Sequence, residues 1–391
     1  MDYERFTMDI LSKKIGIIGG GQLGKMMILD AKRLGFYCVT LDPTHDCPSH
    51  SISDEHIEAP FDDRKALLKL AESVDVITYE FEHIDAQYLA ILEEQGHIIY
   101  PSPKALLQIQ DKFIQKGMLR DSGIKVPDFI KVNDLADLEN YVKDHGSKGM
   151  LKARLGGYDG KGNALIRNEA QVTEAFNSLG KGEIPLMIEE FIPFVKEVSV
   201  LACRGINGQV SVYPVGENHH KNSILDETIV PARISEEAYK RSIQVAKDVM
   251  QVFDGVGMFC VELFVTDEDE VLVNEVAPRP HNSGHYTIEG CLTSQFEQHI
   301  RAITGLPFGK SELREPTVMK NLLGEEGHNG KALVTGLKDV YKEIDVKVHL
   351  YGKEYTKEFR KMGHLTVCSK SIDEALEKSR KAFDQIKFVS E

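Results

Sequence analysis

"VELFVTDEDEVLVNE", residues 261–275, is the stretch from which both fold and chemistry can first be read. Apolar and polar residues alternate on either side of the acidic "DEDE", the pattern of two half-buried strands joined by a tight turn. A turn centred between Glu268 and Asp269 sets Glu262 directly opposite Glu275. Like charges facing each other across a sheet are destabilising, and the pairing makes sense if a cation lies between them. Oxygen-only ligands select Mg²⁺, which bridges carboxylates to substrate phosphates, with Asn274 in support. A one-residue slip of register would instead turn one of the two acids toward water.

The neighbouring segments extend this reading. "APRPHNSGH" (277–285) comes directly after, with two prolines stiffening a run that bears Arg279, His281, Asn282 and His285. A rigid set of donors after a metal-binding strand reads as an anion pocket. "LKARLGGYDGKGN" (151–163) puts Lys152 on a strand that leads into four glycines within seven residues. It lacks the spacing of a Walker loop, and so glycine-rich a segment is costly to order unless it closes over phosphates. "YGKEYTKEFRKMGH" (351–364) clusters Lys353, Arg360 and Lys361: a solvated basic face, or a receptor for a ligand phosphate.

Near the start, "IGIIGGGQLGKMM" (15–27) reads as a strand, then Gly19-x-Gly21-x-x-Gly24, then a helix; Asp42 ends the next strand. That spelling fits a dinucleotide fingerprint. It fits equally a tight turn that brings backbone close to some other polar ligand. Residues 14–100 alternate strands ("KIGIIG", "FYCVTLD", "VDVITYE", "HIIYP") with helices over 22–34, 64–73 and 85–95, the pattern of a parallel, doubly wound sheet. Residues 112–195 form a second unit: a helix over 112–122, the strand "GMLKAR", the glycine loop, a helix over 169–179 and the strand "PLMIEEFI". Antiparallel strands and helices continue over 196–305. The tail, 320–391, adds "VKVHLYG", "GHLTVCS" and a closing amphipathic helix. "DPTHDCPSHSISDEH" (42–56) gathers three histidines and a cysteine at no zinc spacing and reads as a loop.

The totals bound the possibilities. A chain of 391 residues allows two or three domains. A net charge of −14 argues against a general nucleic-acid binder, while leaving room for a locally basic pocket. The acidic beginning "MDYERFTMDILSKK" has no long apolar stretch, so no secretory signal is expected. No apolar run is long enough to span a membrane. Six scattered cysteines with no C-x-x-C pair fit reduced thiols and a cytoplasmic protein.

Taken in order, these segments resemble the ATP-grasp enzymes, and among them the N5-carboxyaminoimidazole ribonucleotide synthase family. The resemblance covers nearly the whole chain, through "GGGQLGKM" (19–26), "YEFEHI" (79–84), "QDK" (110–112), "KARLGGYDGKGN" (152–163), "EEFIPFVKEVSV" (189–200), "YPVGENHHKNSIL" (213–225), "NEVAPRPHNSGHYTIEG" (274–290) and "RKMGHLTV" (360–367). It implies an α/β chain with the ATP-grasp fold. A Rossmann-like, parallel-sheet pre-ATP-grasp domain would occupy 1–111 and a small α+β lid 112–195. The main sheet with a C-terminal antiparallel α+β domain would occupy 196–391. The glycine turn would then shape a substrate cleft and bind no nicotinamide.

The resemblance also implies ATP contacts at Lys112, Lys152, Gly157, Tyr158, Asp159, Gly160, Lys161, Gly162, Asn163, Glu189, Glu190, Phe191, Ile192, Glu197, His220, Asn274 and Glu275, with Mg²⁺ on Glu262 and Glu275. 5-Aminoimidazole ribonucleotide would meet Gln22, Glu82, Tyr158, Arg279, Asn282, Lys353 and Arg360. Catalytic roles fall to Arg279, for a carboxyphosphate intermediate, and to Asp159 or His281, for the amine. Lys25 and Lys112 stand where relatives often have Arg, which loses a bidentate fork. The implied reaction is ATP- and bicarbonate-dependent carboxylation in purine biosynthesis, by a homodimer with no nucleic-acid or membrane partner. Rival readings are a biotin carboxylase, a formate-dependent glycinamide ribonucleotide transformylase, an NAD(P) oxidoreductase resting on residues 15–42, and a non-catalytic nucleotide sensor.

Overall fold

The strands Glu55–Glu58, Tyr37–Asp42, Lys14–Ile18 and Val76–Tyr79 lie side by side in that order, all parallel. They belong to a computed structural model that describes residues 12–145, 148–157, 162–343 and 345–391. Their near-continuous apolar runs (Ile15, Ile17, Ile18, Val39, Leu41, Ile77) are those of a sheet covered on both faces. Helices Arg64–Ser73 and Ala86–Glu94 pack on one face. Gln22–Arg33 packs on the other, beside Gln295–Thr304 from far along the chain. His299 on that late helix joins Thr78 of the sheet at 2.8 Å, so the first unit shares its core with an element more than 200 residues later.

Two expected elements differ. Residues 42–56 are not loop throughout, because Glu55 and His56 open the edge strand Glu55–Glu58. Its half-exposed, charged sequence hides the β pattern. "HIIYP" gives a single bridge, Ile77 to Ile99, rather than a strand. The Tyr100 N–H still reaches Ile77 O, but Pro101 has no N–H to carry the ladder on.

The second unit is a four-stranded antiparallel sheet: Phe129–Val132, Leu186–Glu190, Gly149–Ala153 and Asn163–Ile166. Helices Leu135–Asp144 and Val172–Ser178 supply its apolar cover. Helix Lys112–Asp121 leads into it, started by Asp111, whose carboxylate accepts from the Phe113 N–H at 2.9 Å.

The largest sheet has nine strands. Its order is Val271–Ala277, Gly257–Val265, Lys196–Arg204, Gly216–Lys221, Ile224–Val230, Thr317–Leu323, Lys361–Cys368 and Lys347–Leu350, with Val210–Val212 pairing on Lys196–Arg204. Helix Glu236–Val252 covers one face through Ala238, Ser242, Ala246 and Val249, a stripe at helical spacing. The tail strands Thr317–Leu323, Lys361–Cys368 and Lys347–Leu350 continue this same sheet. A small third layer, Tyr355–Lys357, Asn329–Thr335 and Lys387–Ser390, lies beside helix Ile372–Gln385. Among the described residues no helix is long and apolar enough to cross a membrane.

Candidate active site

The hairpin Gly257–Val265/Val271–Ala277 pairs Glu262 with Glu275, as the sequence predicts, but by a different route. Its turn is a three-residue loop centred on Glu268, closed by Thr266 N–H to Glu270 O at 3.0 Å, with Asp269 left-handed at φ 59°. That turn alone would set Glu262 opposite Asn274. A β-bulge between Glu262 and Leu263 in the register makes Asn274 the extra residue and restores Glu262 to Glu275. Bulges re-aim side chains beside active sites. Here the bulge leaves Asn274 and Glu275 both engaged with lysines from outside the hairpin. Gln115 on helix Lys112–Asp121 fixes the bulged strand, accepting from Val276 N–H at 2.9 Å and donating to Val276 O at 3.0 Å.

Charges converge around this pair. Lys112 hydrogen-bonds Glu275. Burial opposes the Lys112 charge, but Glu275 outweighs it and holds its pKa above the ordinary lysine value. Lys152 reaches Asn274 Oδ1 at 3.2 Å and Glu189 Oε2 at 2.8 Å. Lys116, one helical turn after Lys112, lies 3.3 Å from Glu189 Oε1; burial brings its pKa down to about 8. Glu262 is ion-paired with none of Lys112, Lys116 and Lys152. Burial, then Glu275, push its pKa up to about 7. His281 Nε2 stands 3.4 Å from it, and burial together with Arg279 keeps that ring neutral. His220 pairs with Glu197 on the adjoining strands.

Arg279 is committed to Glu82, with Nη2 to Oε1 at 3.0 Å and Nε to the other oxygen. Burial works against Glu82, yet Arg279 holds its carboxyl at about 2. The loop carrying Arg279 and His281 is clamped by Gln295, which accepts from His281 N–H at 2.9 Å and donates to His281 O at 2.7 Å. Asn282 is buried with neither amide atom hydrogen-bonded. Sequence reasoning misses Gln115 and Gln295. The available signal is a polar side chain at a position that helical spacing turns inward.

The glycine turn is the other surprise. Gly21 N–H and Gly24 N–H donate to the two oxygens of Glu80 at 2.6 and 2.7 Å, and Gly20 N–H donates to Asp42 at 2.8 Å. The anion-binding end of helix Gln22–Arg33 is thus filled by the protein's own carboxylate. A Cβ on Gly24 would lie 2.3 Å from Gly19 O, and Gly19 itself sits at φ 102°, so both glycines are required by the turn. Gln22 opens the helix here. Lys25 donates to Tyr351 O at 3.0 Å, Lys353 donates to Lys361 O at 2.8 Å and lies close enough to act on the Glu80 charge, and Arg360 donates to Tyr355 O at 2.6 Å. The basic tail segment and the glycine turn therefore meet, though they are over 300 residues apart in sequence.

Of the glycine loop, Gly157, Gly162 and Asn163 are described, and Ala153 N–H donates to Gly162 O at 2.8 Å. Tyr158, Asp159, Gly160 and Lys161 lie outside the described residues. Glu190, Phe191 and Ile192 come after Glu189 at the end of strand Leu186–Glu190.

Three family profiles match consecutive stretches of the chain: a ribonucleotide synthetase preATP-grasp domain over 12–110, an ATP-grasp domain over 117–296 and a phosphoribosylaminoimidazole carboxylase C-terminal domain over 317–378. The N5-carboxyaminoimidazole ribonucleotide synthase of Staphylococcus aureus (strain COL) is 43% identical over 92% of this chain and 94% of its own length. The chain belongs to the N5-carboxyaminoimidazole ribonucleotide synthase family. As a member it is an ATP-dependent carbon–nitrogen ligase of purine biosynthesis. The synthetase from Thermotoga maritima superposes with a TM-score of 0.89 at 46% identity, over 97% of this chain and all of that one. The Aspergillus clavatus synthase, solved with ADP and 5-aminoimidazole ribonucleotide, gives 0.87 at 33% identity over 95% and 98%.

Proposed function

We propose that the chain carboxylates the exocyclic amine of 5-aminoimidazole ribonucleotide with bicarbonate, at the expense of ATP and through carboxyphosphate, in the cytoplasm and as a homodimer. The observation that carries this reading is the Glu262–Glu275 pair across the bulged hairpin, set among Lys112, Lys152 and Asn274. The domain boundaries proposed from sequence, at 111/112 and 195/196, place that pair on the main sheet facing the lid.

The residues fit Mg²⁺. The donors are all oxygen, and the raised pKa of Glu262 is what a bound cation would relieve. Among the described residues no three His, Cys, Asp or Glu converge as a complete cage, which suits an ion that completes its shell with phosphate oxygens and water. Magnesium held by Glu262 and Glu275 would neutralise phosphate charge during transfer. Phosphoryl transfer asks the protein chiefly for position and charge. Lys112 and Lys152 supply cations to the phosphates, while Glu189, Glu190, Phe191 and Ile192 edge the base, with Glu197 and His220 flanking. Bicarbonate oxygen attacks the γ-phosphorus and ADP leaves. The amine nitrogen then attacks the carboxyl carbon of carboxyphosphate, phosphate departs, and the nitrogen loses one proton. Arg279, fixed by Glu82, faces the carboxyphosphate.

Asn282, with both amide atoms unpartnered, contacts the substrate, whose phosphate is received by Lys353 and Arg360. His281 is too weak a base to take the proton, since burial depresses its pKa. That direction favours Asp159 for proton capture and His281 for orienting the amine. Closure of the loop around residues 157–163 excludes water from an intermediate that hydrolyses readily.

The test is phosphate release from ATP combined with labelled bicarbonate. Release that requires both bicarbonate and the aminoimidazole, with label in an acid-labile product, is expected. Release supported by formate and glycinamide ribonucleotide would replace this reading with the transformylase.

A further inference from the structure

Two lysines share one buried carboxylate beneath the proposed nucleotide site. Glu189, 2% exposed, has Lys152 on one oxygen at 2.8 Å and Lys116 near the other at 3.3 Å. Lys152 and Glu189 stand on neighbouring strands of the lid sheet, Gly149–Ala153 and Leu186–Glu190. Lys116 comes from outside it. It rises from helix Lys112–Asp121, one turn after Lys112, and its ammonium also donates to Val273 O at 3.4 Å, on the bulged strand of the main sheet. Its side chain is 1% exposed, so it meets neither solvent nor ligand directly.

We infer that Lys116 is a positioning residue for nucleotide binding: it is the standing counter-ion of Glu189, and so allows Lys152 to leave that carboxylate for a phosphate. The inference rests on the nucleotide reading of the site. Without Lys116, Lys152 would be the one cation directly paired with Glu189 among the described residues. Drawing Lys152 onto a phosphate would then strand a buried carboxylate, the costliest way to break a buried ion pair. With Lys116 in place, Glu189 stays paired whichever way Lys152 swings. Val273 O ties Lys116 to the main sheet, so its position does not depend on the strands of the lid sheet alone.

The neutral variant Lys116→Gln retains hydrogen-bonding capacity and most of the side-chain length. Affinities for a non-hydrolysable ATP analogue and for 5-aminoimidazole ribonucleotide are measured by calorimetric titration on the full chain. A folded variant is expected to lose about tenfold or more in nucleotide affinity, as for loss of a charged partner, with the ribonucleotide affinity unchanged. Nucleotide affinity within about twofold of the parent, or an equal loss for both ligands as from general loosening, would overturn the inference. A crystal structure of the unsubstituted protein with the ATP analogue decides the matter even if the variant does not fold. Lys152 moved from Glu189 onto a phosphate, with Lys116 still paired, supports the inference. Lys152 unmoved in a nucleotide-bound site overturns it alone, whereas failure of the unsubstituted protein to bind the analogue overturns the nucleotide reading as well.

Discussion

Replacing Glu80 by alanine tests why a dinucleotide-like glycine turn has another use here. The substitution removes the acceptor for Gly21 N–H and Gly24 N–H, at 2.6 and 2.7 Å, from the first turn of helix Gln22–Arg33. A hydrogen bond to a charged group contributes about 1.5–3 kcal/mol, so the two together amount to roughly 3–6 kcal/mol. Against this, burial raises the Glu80 pKa, so removing a poorly solvated carboxylate returns part of that stabilisation. The net expectation is a destabilisation of about 2–4 kcal/mol, a fall in Tm of roughly 10–20 °C for a first unit of about 100 residues. The assay is a calorimetric melt with and without inorganic phosphate. In the variant the turn regains two unpartnered donors at a helix N-terminus, so phosphate stabilises the variant more than the parent. At ten times its Kd that extra gain is about 1.4 kcal/mol. A variant melting within about 1 °C of the parent, or identical phosphate shifts for both proteins, would refute the idea that Glu80 occupies the anion site.

Two further outcomes are expected from the same charges. Glu275→Gln removes the partner of Lys112 and one of the paired acids; turnover is expected to fall by about a thousandfold or more with the circular dichroism spectrum unchanged, and parental steady-state rates would dismiss the pair as a catalytic feature. Acid should also destabilise the fold. His285, His299 and His364 are buried, their pKa values pushed down by desolvation, so near pH 6.5 they take up protons in the unfolded chain but not in the native one, and each withdraws up to about 1.4 kcal/mol per pH unit as pH falls below that point. Glu262, raised from 4.5 to about 7, and Glu80, also raised, work the other way; with His281 lowered like the other three, the balance is a net loss of stability between pH 6 and 5. Urea titrations at stepped pH measure this, and stability that is flat or rising toward pH 5 would contradict it.

Sequence makes legible the features that local periodicity encodes. The alternation around "DEDE" yields a hairpin, and the carboxylate pairing is correct although the turn is centred on Glu268 rather than between Glu268 and Asp269. Nothing in a linear pattern distinguishes a turn centred between Glu268 and Asp269 from one centred on Glu268 and combined with a bulge, because the two register shifts cancel at Glu262. The glycine turn is legible as geometry and not as ligand, since its occupant, Glu80, comes from a strand some 60 residues later. Gln115, Gln295 and Lys116 stay hidden for a related reason. Each is a polar residue on an inward face whose partner lies on another element, and helical spacing alone marks such a position as core.

The charged groups of the site share one physical logic. Lys112 with Glu275, Lys152 and Lys116 with Glu189, Arg279 with Glu82, His220 with Glu197 and Glu80 with the glycine turn are all paired within the protein. Burial forces this, because an unpaired charge in so dry a place would shift its pKa or destabilise the fold. Binding at the proposed site is therefore an exchange of partners. A phosphate that takes Lys112 releases Glu275, and a cation that takes Glu275 releases Lys112. Neither exchange leaves the site balanced alone, because each strands the group it frees, whereas a metal–nucleotide pair replaces both partners at once. Glu262 is paired with none of these lysines, and burial and Glu275 push its pKa up to about 7, so a cation from outside would complete its charge. On that reasoning nucleotide and the proposed magnesium ion would bind with mutual dependence, and the coupling would lie in the Lys112–Glu275 bond.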